Sequence, residues 1–274
     1  MTSLKSRAFD SCVRMFESSI RLLGPSAYWK IMPLLVERVD LWYPVKTSKG
    51  TLRMHCGGEI ARVRAQGFLS VEPETLKWID GFSDDETLLD IGANVGAYTL
   101  YASFVKGVHV VAVEPSPFSF VELSRNILAN GLSDKVVAIM AAAAERSFVA
   151  DMNYASVSLK SGGSGASFDT ALDNAGGDMG VAAKLKQPGF AIDEIVSWSG
   201  VRFPNHIKID VIGNQGRILV GAKKTLADPR LKSLMVEMPL DLPEEDRLAR
   251  DALTAAGFKQ TVAVRHNNTF FVRH

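Results

Sequence analysis

From Thr87 onward, short apolar runs alternate with stretches of helical spacing, and no other feature restricts the fold of this chain as much. TLLDI (87–91), VHVVAVE (108–114), VVAIMA (136–141), IKIDV (207–211) and SLMVEM (233–238) are rich in β-branched residues and short, as fully buried strands are. Between them Tyr98 to Phe104 reads as a helix, and so does Phe118 to Asn130, where Phe120, Leu123, Ile127 and Leu128 make one face. A helix from about Gln215 to Leu226 brings Ile218, Leu219, Ala222 and Leu226 together. Another, Glu244 to Ala256, has acids in its first turn and Gly257 just past its end. Strands alternating with helices predict a parallel sheet covered on its faces. FKQTVAV (258–264) and TFFVR (269–273) have only a short polar connection, so they predict an antiparallel hairpin at one sheet edge.

The 274 residues suit one large domain with an appended segment, and 47% hydrophobic residues supply an ample core. The expected division is an extension over 1–70 and a main domain over 71–274. In the extension, residues 1 to about 45 look helical, broken at Gly24-Pro25 and Pro33, and Thr51 to Ala65 reads as a hairpin around Gly57-Gly58. PETLKWIDGF reads as a short helix stopping at Gly81. Residues 161–189, rich in Gly, Ser and Ala, read as a flexible insert or a lid. Val13, Phe16, Ile20 and Leu23 mark an amphipathic helix that packs on the domain or touches a membrane surface. The longest apolar run, Val136 to Ala144, is far shorter than the roughly 20 residues a spanning helix needs. Lys+Arg 31 against Asp+Glu 30 argues against a nucleic-acid partner. Cys12 and Cys56 form no disulfide scaffold or zinc motif, and a reducing, cytoplasmic setting is expected. Self-association is left open.

The chemistry concentrates in DIGANVGAYTL, Asp90 to Leu100. A strand ends, Gly92 and Gly96 bracket a tight turn, and a helix begins near Tyr98, which is the expected ligand crevice of a parallel sheet. A dinucleotide fingerprint needs a second glycine where this chain has Asn94, and a P-loop needs a Lys-Ser or Lys-Thr that does not follow. Glu114, ending the next strand, can accept hydrogen bonds from both hydroxyls of a ribose. Asp90 is expected to meet a cationic amino group, directly or through water, and Asn130 to bond near an adenine. A ligand with an adenosine, an ammonium and no pyrophosphate satisfies this set: S-adenosylmethionine. A nicotinamide dehydrogenase shares only the strand–glycine–helix arrangement and the acid.

DIGANVGAYTL, AVEPSPFSFVELSRNILANGL, AIDEIV, IKIDVIGNQGRILVGAKKTL, LMVEM and NNTFFVR, in that order, resemble the FkbM family of S-adenosylmethionine-dependent methyltransferases. The resemblance implies a class I methyltransferase (Rossmann-like) α/β fold, with a seven-stranded, mostly parallel sheet and an antiparallel C-terminal hairpin edge. It implies O-methylation of a hydroxyl on a sugar, glycan, glycolipid or natural product. It also implies cofactor contacts from Asp90, Gly92, Asn94, Gly96, Tyr98, Thr99, Glu114, Ser116 and Asn130.

The family pattern reads I-K-I-D-V-[ED]-G-x-E at the fourth strand, and Ile212 and Gln215 replace its two acids here. Fewer hard oxygen ligands remain, so no metal is expected. The same loss motivates an alternative, a binding or scaffold protein that keeps the fold with impaired catalysis. Candidates for taking the acceptor's proton are Asp210, Lys208 and Glu237. By strand alternation Lys208 shares a face with Asp210, which also suits a structural ion pair. His206, at the strand's start, reads as a surface or capping residue.

Overall fold

The computed structural model describes residues 2–156, 165–172, 177–238, 243–261 and 267–273, with backbone alone for 2–10. Contacts divide the chain at Leu41, not near residue 70. The first unit holds α1 (Thr2–Arg21) and α2 (Pro25–Arg38). They are separated at Gly24 (φ +94°), and Pro25 occupies the opening turn of α2, where its missing N–H costs nothing. The expected break at Pro33 does not occur, since α2 runs through it. No described helix is long and apolar enough to cross a membrane.

The second unit opens with the hairpin β1 (Trp42–Thr47) and β2 (Gly50–His55). The hairpin therefore precedes the Gly57-Gly58 pair expected at its centre. Beyond His55 the apolar spacing becomes helical, with Ala61 and Ala65 buried four apart on α3 (Glu59–Gly67). Next come α4 (Pro73–Asp80), β3 (Thr87–Ile91) and α5 (Ala97–Leu100), which continues as a π-helical turn, Tyr101–Lys106. They are followed by β4 (His109–Val113), α6 (Pro117–Ala129), β5 (Val136–Ile139), β6 (Ala142–Ala144), β7 (Phe148–Tyr154), β8 (Ala166–Phe168) and β9 (Ala183–Ala191). The remainder is α7 (Ile192–Ile195), β10 (His206–Ile209), α8 (Gln215–Val220), α9 (Lys223–Ala227), β11 (Ser233–Glu237), α10 (Pro243–Ala255), β12 (Phe258–Gln260) and β13 (Asn268–Arg273).

Seven strands form the central sheet in the order β12–β13–β11–β10–β3–β4–β5. The five from β5 to β11 are parallel, and β13 is antiparallel to both neighbours. This is the class I methyltransferase architecture that the resemblance implies. All five β3 residues are buried, as a strand covered on both faces requires. Leu88 and Val110 enter one apolar core with Leu100 and Leu123, while Leu89 and Val111 enter the other with Ile218 and Leu253. The chain winds from β3 to β5 in one direction and from β10 to β11 in the other. The order reverses between β3 and β10, which opens a crevice at their carboxyl ends.

The run VVAIMA supplies β5, which ends at Ile139 in the main sheet, and just past the run β6 joins a second sheet, β6–β9–β7–β8. Two expectations change. The described part of 161–189 is not structureless, since β8 and most of β9 lie within it, pairing with β7. Residues 161–164 and 173–176 lie outside the described residues. The helix expected over 215–226 is broken into α8 and α9 at Gly221. A Cβ there would lie 2.4 Å from the Ala144 carbonyl oxygen. Asp193 accepts the Lys224 and Thr225 N–H groups at 2.9 and 2.7 Å, which caps the second piece.

Candidate functional site

A cavity of about 260 Å³ opens at the carboxyl ends of the central strands and is bounded on one side by the second sheet. Its floor is the glycine turn. Gly92 has φ +78°, and a Cβ on it would sit 2.0 Å from the Asp210 carbonyl oxygen, so the turn can pass the end of β10 only without a side chain. Asn94 also lies in the left-handed region (φ +52°), which asparagine tolerates best among non-glycine residues. Its Oδ1 is buried at the cavity without a hydrogen-bond partner. Gly96 (φ +91°) starts α5 and does not line the cavity. Its bare Cα admits Leu123 of α6, whose Cδ1 would be 2.6 Å from a Cβ.

Glu114 faces the cavity just past the end of β4. One carboxylate oxygen accepts the Asn94 N–H and the other the Ser116 N–H, both at 2.8 Å. Burial pushes its carboxyl up to about 7, against the lowering effect of those two donors. Ser116 and Tyr98 also line the cavity.

Asp90 does not. It is fully buried beneath the floor, where Oδ2 accepts the Thr99 hydroxyl at 2.6 Å and Oδ1 lies 3.6 Å from Lys208 Nζ. Its cationic neighbour is Lys208, and its side chain is not part of the cavity wall. Thr99 is likewise a support for Asp90 and not a wall of the cavity. Asn130 departs furthest from expectation. Helix α6 starts above the crevice and runs back some 20 Å toward the amino ends of the strands, carrying its C-cap away from the cavity. There Asn130 Oδ1 accepts the Arg53 N–H and Nδ2 donates to the Arg53 carbonyl, each at 2.8 Å, which ties the β1–β2 hairpin to α6.

The three proton-transfer candidates converge. Lys208 Nζ lies 2.8 Å from Asp210 Oδ2 and 4.8 Å from the centroid of the Tyr98 ring. Burial alone would lower the Lys208 pKa, but Asp210 and Asp90 raise it, so the ammonium stays charged. Burial and the Asp210 charge push Glu237 up to about 8. Against the upward push of its own burial, Lys208 and a hydrogen bond from Glu237 hold Asp210 below its usual range. The two carboxyls therefore titrate as a pair, Asp210 lowered and Glu237 raised, and share one proton at neutral pH. Ile212 lines the cavity, whereas Gln215 turns away and donates to the Val211 carbonyl at 2.7 Å. His206 sits buried at the other end of β10 and is neither a surface residue nor a ligand to this cavity.

Arg64 on α3, Glu72 at the start of α4, and Ser167 and Phe168 of β8 line the cavity and escaped the sequence reading. Glu72 precedes Pro73, and an acid in that position reads as a helix cap. The β8 residues fall in the stretch expected to lack structure. Asn214 Nδ2 donates to the Phe168 carbonyl at 2.6 Å and pins β8 beside the loop after β10. Among the described residues no group of three or more His, Cys, Asp or Glu could hold a metal ion.

Compared with known proteins, the chain matches the methyltransferase FkbM domain over residues 90–259, more than half its length. No curated protein matches it. Among solved structures it is similar to precorrin-6y C5,15-methyltransferase from Geobacter metallireducens GS-15, at 15% identity over 74% of this chain and 85% of that one (TM-score 0.41). It is also similar to P. horikoshii TYW2 in complex with MeSAdo, at 13% identity over 85% and 70% (TM-score 0.44). A third is the METTL16 MTase domain, at 12% identity over 83% and 84% (TM-score 0.44).

Proposed function

The chain belongs to the methyltransferase FkbM domain family, and on that premise we propose that it transfers the methyl group of S-adenosylmethionine to a hydroxyl oxygen of a sugar, glycan, glycolipid or natural product. One observation carries the reading: a single cavity holds Glu114, past the end of β4, and Asp210, past the end of β10, on either side of the Gly92 turn. The residues present fit the cofactor. Glu114 retains lone pairs for ribose hydroxyls beyond its two backbone donors, and the buried Asn94 Oδ1 has no partner within the protein. Gly92 and Ala93 let backbone approach a ligand closely, and the small side chains of Ala142 and Ala143 leave room for a flat base.

When bound, the cofactor supplies an electrophilic methyl on a sulfonium. The chain's own task is to align an acceptor oxygen and remove its proton. The Asp210 carboxyl, held below its usual pKa and open to the cavity, would accept that proton. Lys208 fixes Asp210 from below, and the Glu237 carboxyl donates a hydrogen bond to it from the side. General-base assistance of this kind contributes about 10²–10⁴-fold.

Calorimetry with S-adenosylmethionine and S-adenosylhomocysteine, followed by mass spectrometry of a panel of hydroxyl acceptors, tests the reading. Cofactor binding and a methylated product are expected, and no cofactor binding removes it. The alternative, a binding protein with impaired catalysis, is favoured by the apolar Ile212 at the cavity and the averted Gln215. Tight cofactor binding with no methylated product across the panel would establish that alternative.

A further inference from the structure

The cofactor's amino-acid end is a zwitterion, and Asp90, which lies against Lys208, does not line the cavity. The charged side chains that do line it are the candidate partners. Among those lining the cavity, Lys208 is held by Asp90 and Asp210, Glu237 is bonded to Asp210, and Glu114 serves the ribose. Arg64 and Glu72 complete the set, one cation and one anion, both on segments that precede the matched domain.

We propose that Glu72 binds the ammonium and Arg64 the carboxylate of the cofactor's amino-acid group. The assignment rests on the cofactor reading above. Glu72 is held in place before any ligand arrives: its Oε2 accepts Asn268 Nδ2 at 2.9 Å and the Thr75 hydroxyl at 3.1 Å. A carboxylate has about four acceptor sites, so an ammonium can be added without displacing these donors. A side chain already ordered by strand β13 and helix α4 loses little further entropy on binding.

The direction along the cavity agrees. Ala142, Ala143, Met152 and Phe168 make its apolar side, where a flat base belongs. Glu72 is close enough to Tyr98, Lys208 and Glu237 to raise their pKa values, and Arg64 close enough to Glu114 and Asp210 to lower theirs, so these groups make up the polar part of the lining. With Glu114 on the ribose, the amino-acid end extends toward this polar part. A zwitterion met by one acid and one base adds no net charge to a site that already buries several.

The test is calorimetry on the full chain with two ligands, S-adenosylhomocysteine and 5′-methylthioadenosine. Both carry the nucleoside and a thioether, and only the first has the amino-acid group. Glu72→Gln and Arg64→Met should each weaken S-adenosylhomocysteine by about tenfold or more, the effect of losing a charge-assisted contact, and leave methylthioadenosine within about twofold. Glu72→Gln keeps an oxygen for Asn268 and Thr75, and an unchanged thermal midpoint checks that the site still forms. Equal weakening of both ligands, or unchanged affinity for S-adenosylhomocysteine, overturns the assignment. A wild-type chain that binds neither ligand overturns the cofactor reading, and this assignment falls with it.

Discussion

Strand β10 carries a buried charged cluster at each end, and the two differ in what they leave unsatisfied. At its start, His206 Nε2 lies 2.9 Å from a Glu86 carboxylate oxygen and Nδ1 lies 2.7 Å from Ser233 Oγ, which also accepts Trp78 Nε1–H at 2.8 Å. Lys232 closes the chain on Glu86, and Phe82 stacks on the imidazole at 3.6 Å. No polar atom of that network is buried without a partner. Past the strand's other end, Lys208, Asp90, Asp210 and Glu237 are just as charged. Around them Asp90 Oδ1 and Gln215 Oε1 are buried without hydrogen-bond partners, and so is Asn94 Oδ1, which belongs to a residue lining the cavity. Burying charge is thus no mark of a site by itself. Hydrogen-bonding capacity left unused next to open space is what distinguishes the carboxyl end.

The comparison can be broken hardest at Lys208. Lys208→Met leaves the buried Asp90 and the partly open Asp210 without their cation, and denaturant unfolding should show a loss of about 3 kcal/mol, the lower end of the usual cost of stripping a buried ion pair of one partner. Next in size, Glu114→Ala should weaken S-adenosylhomocysteine by roughly 30- to 100-fold in calorimetry, since it removes a buried, charged acceptor of two hydroxyls. If affinity is unchanged, the assignment of the cavity is wrong.

The two ends should also answer pH with opposite sign. Glu237 is raised to about 8 from an ordinary 4.5, so its contribution to stability is complete below 4.5 and disappears as pH climbs through 8. For Glu86, burial pushes upward, but Lys232, His206 and the Ser83 N–H prevail and hold it at about 2. Its contribution is present above 4.5 and disappears as pH falls through 2. Unfolding measured across pH should show that Glu237→Gln flattens the alkaline side of the stability profile and Glu86→Gln the acid side. A single variant that flattens both would mean the clusters are not independent. The smallest effect is expected from Asn130→Ala: about 1 kcal/mol of stability from lost hairpin bonds, with cofactor affinity unmoved.

Much of this molecule is legible along the chain because the central strands follow a simple rule. A strand covered on both faces must be apolar throughout, and β3, β4, β10 and β11 are found where such runs occur. Gly92, Asn94, Glu114 and Asp210 were likewise readable, since a tight turn and an acid at a strand's end are local signals. Asp90 and Asn130 lie off the cavity wall because adjacency to a motif says nothing of depth: one is buried against Lys208, and the other is carried off by the length of its helix. Arg64 and Glu72 left no local signal, and β8 was hidden in a Gly/Ser-rich stretch whose pairing partners lie elsewhere in the chain.

What the sequence determined by itself is the periodicity, and with it the layered α/β architecture and the glycine turn, because alternation and backbone sterics act over a few residues. Which carboxylate faces the cavity, which is locked beneath it by Lys208, and which residues from before the matched domain close its polar end were decided only by the tertiary structure. Those outcomes depend on distances between segments more than a hundred residues apart, where burial and neighbouring charge, not local pattern, set the ionisation and reach of each side chain.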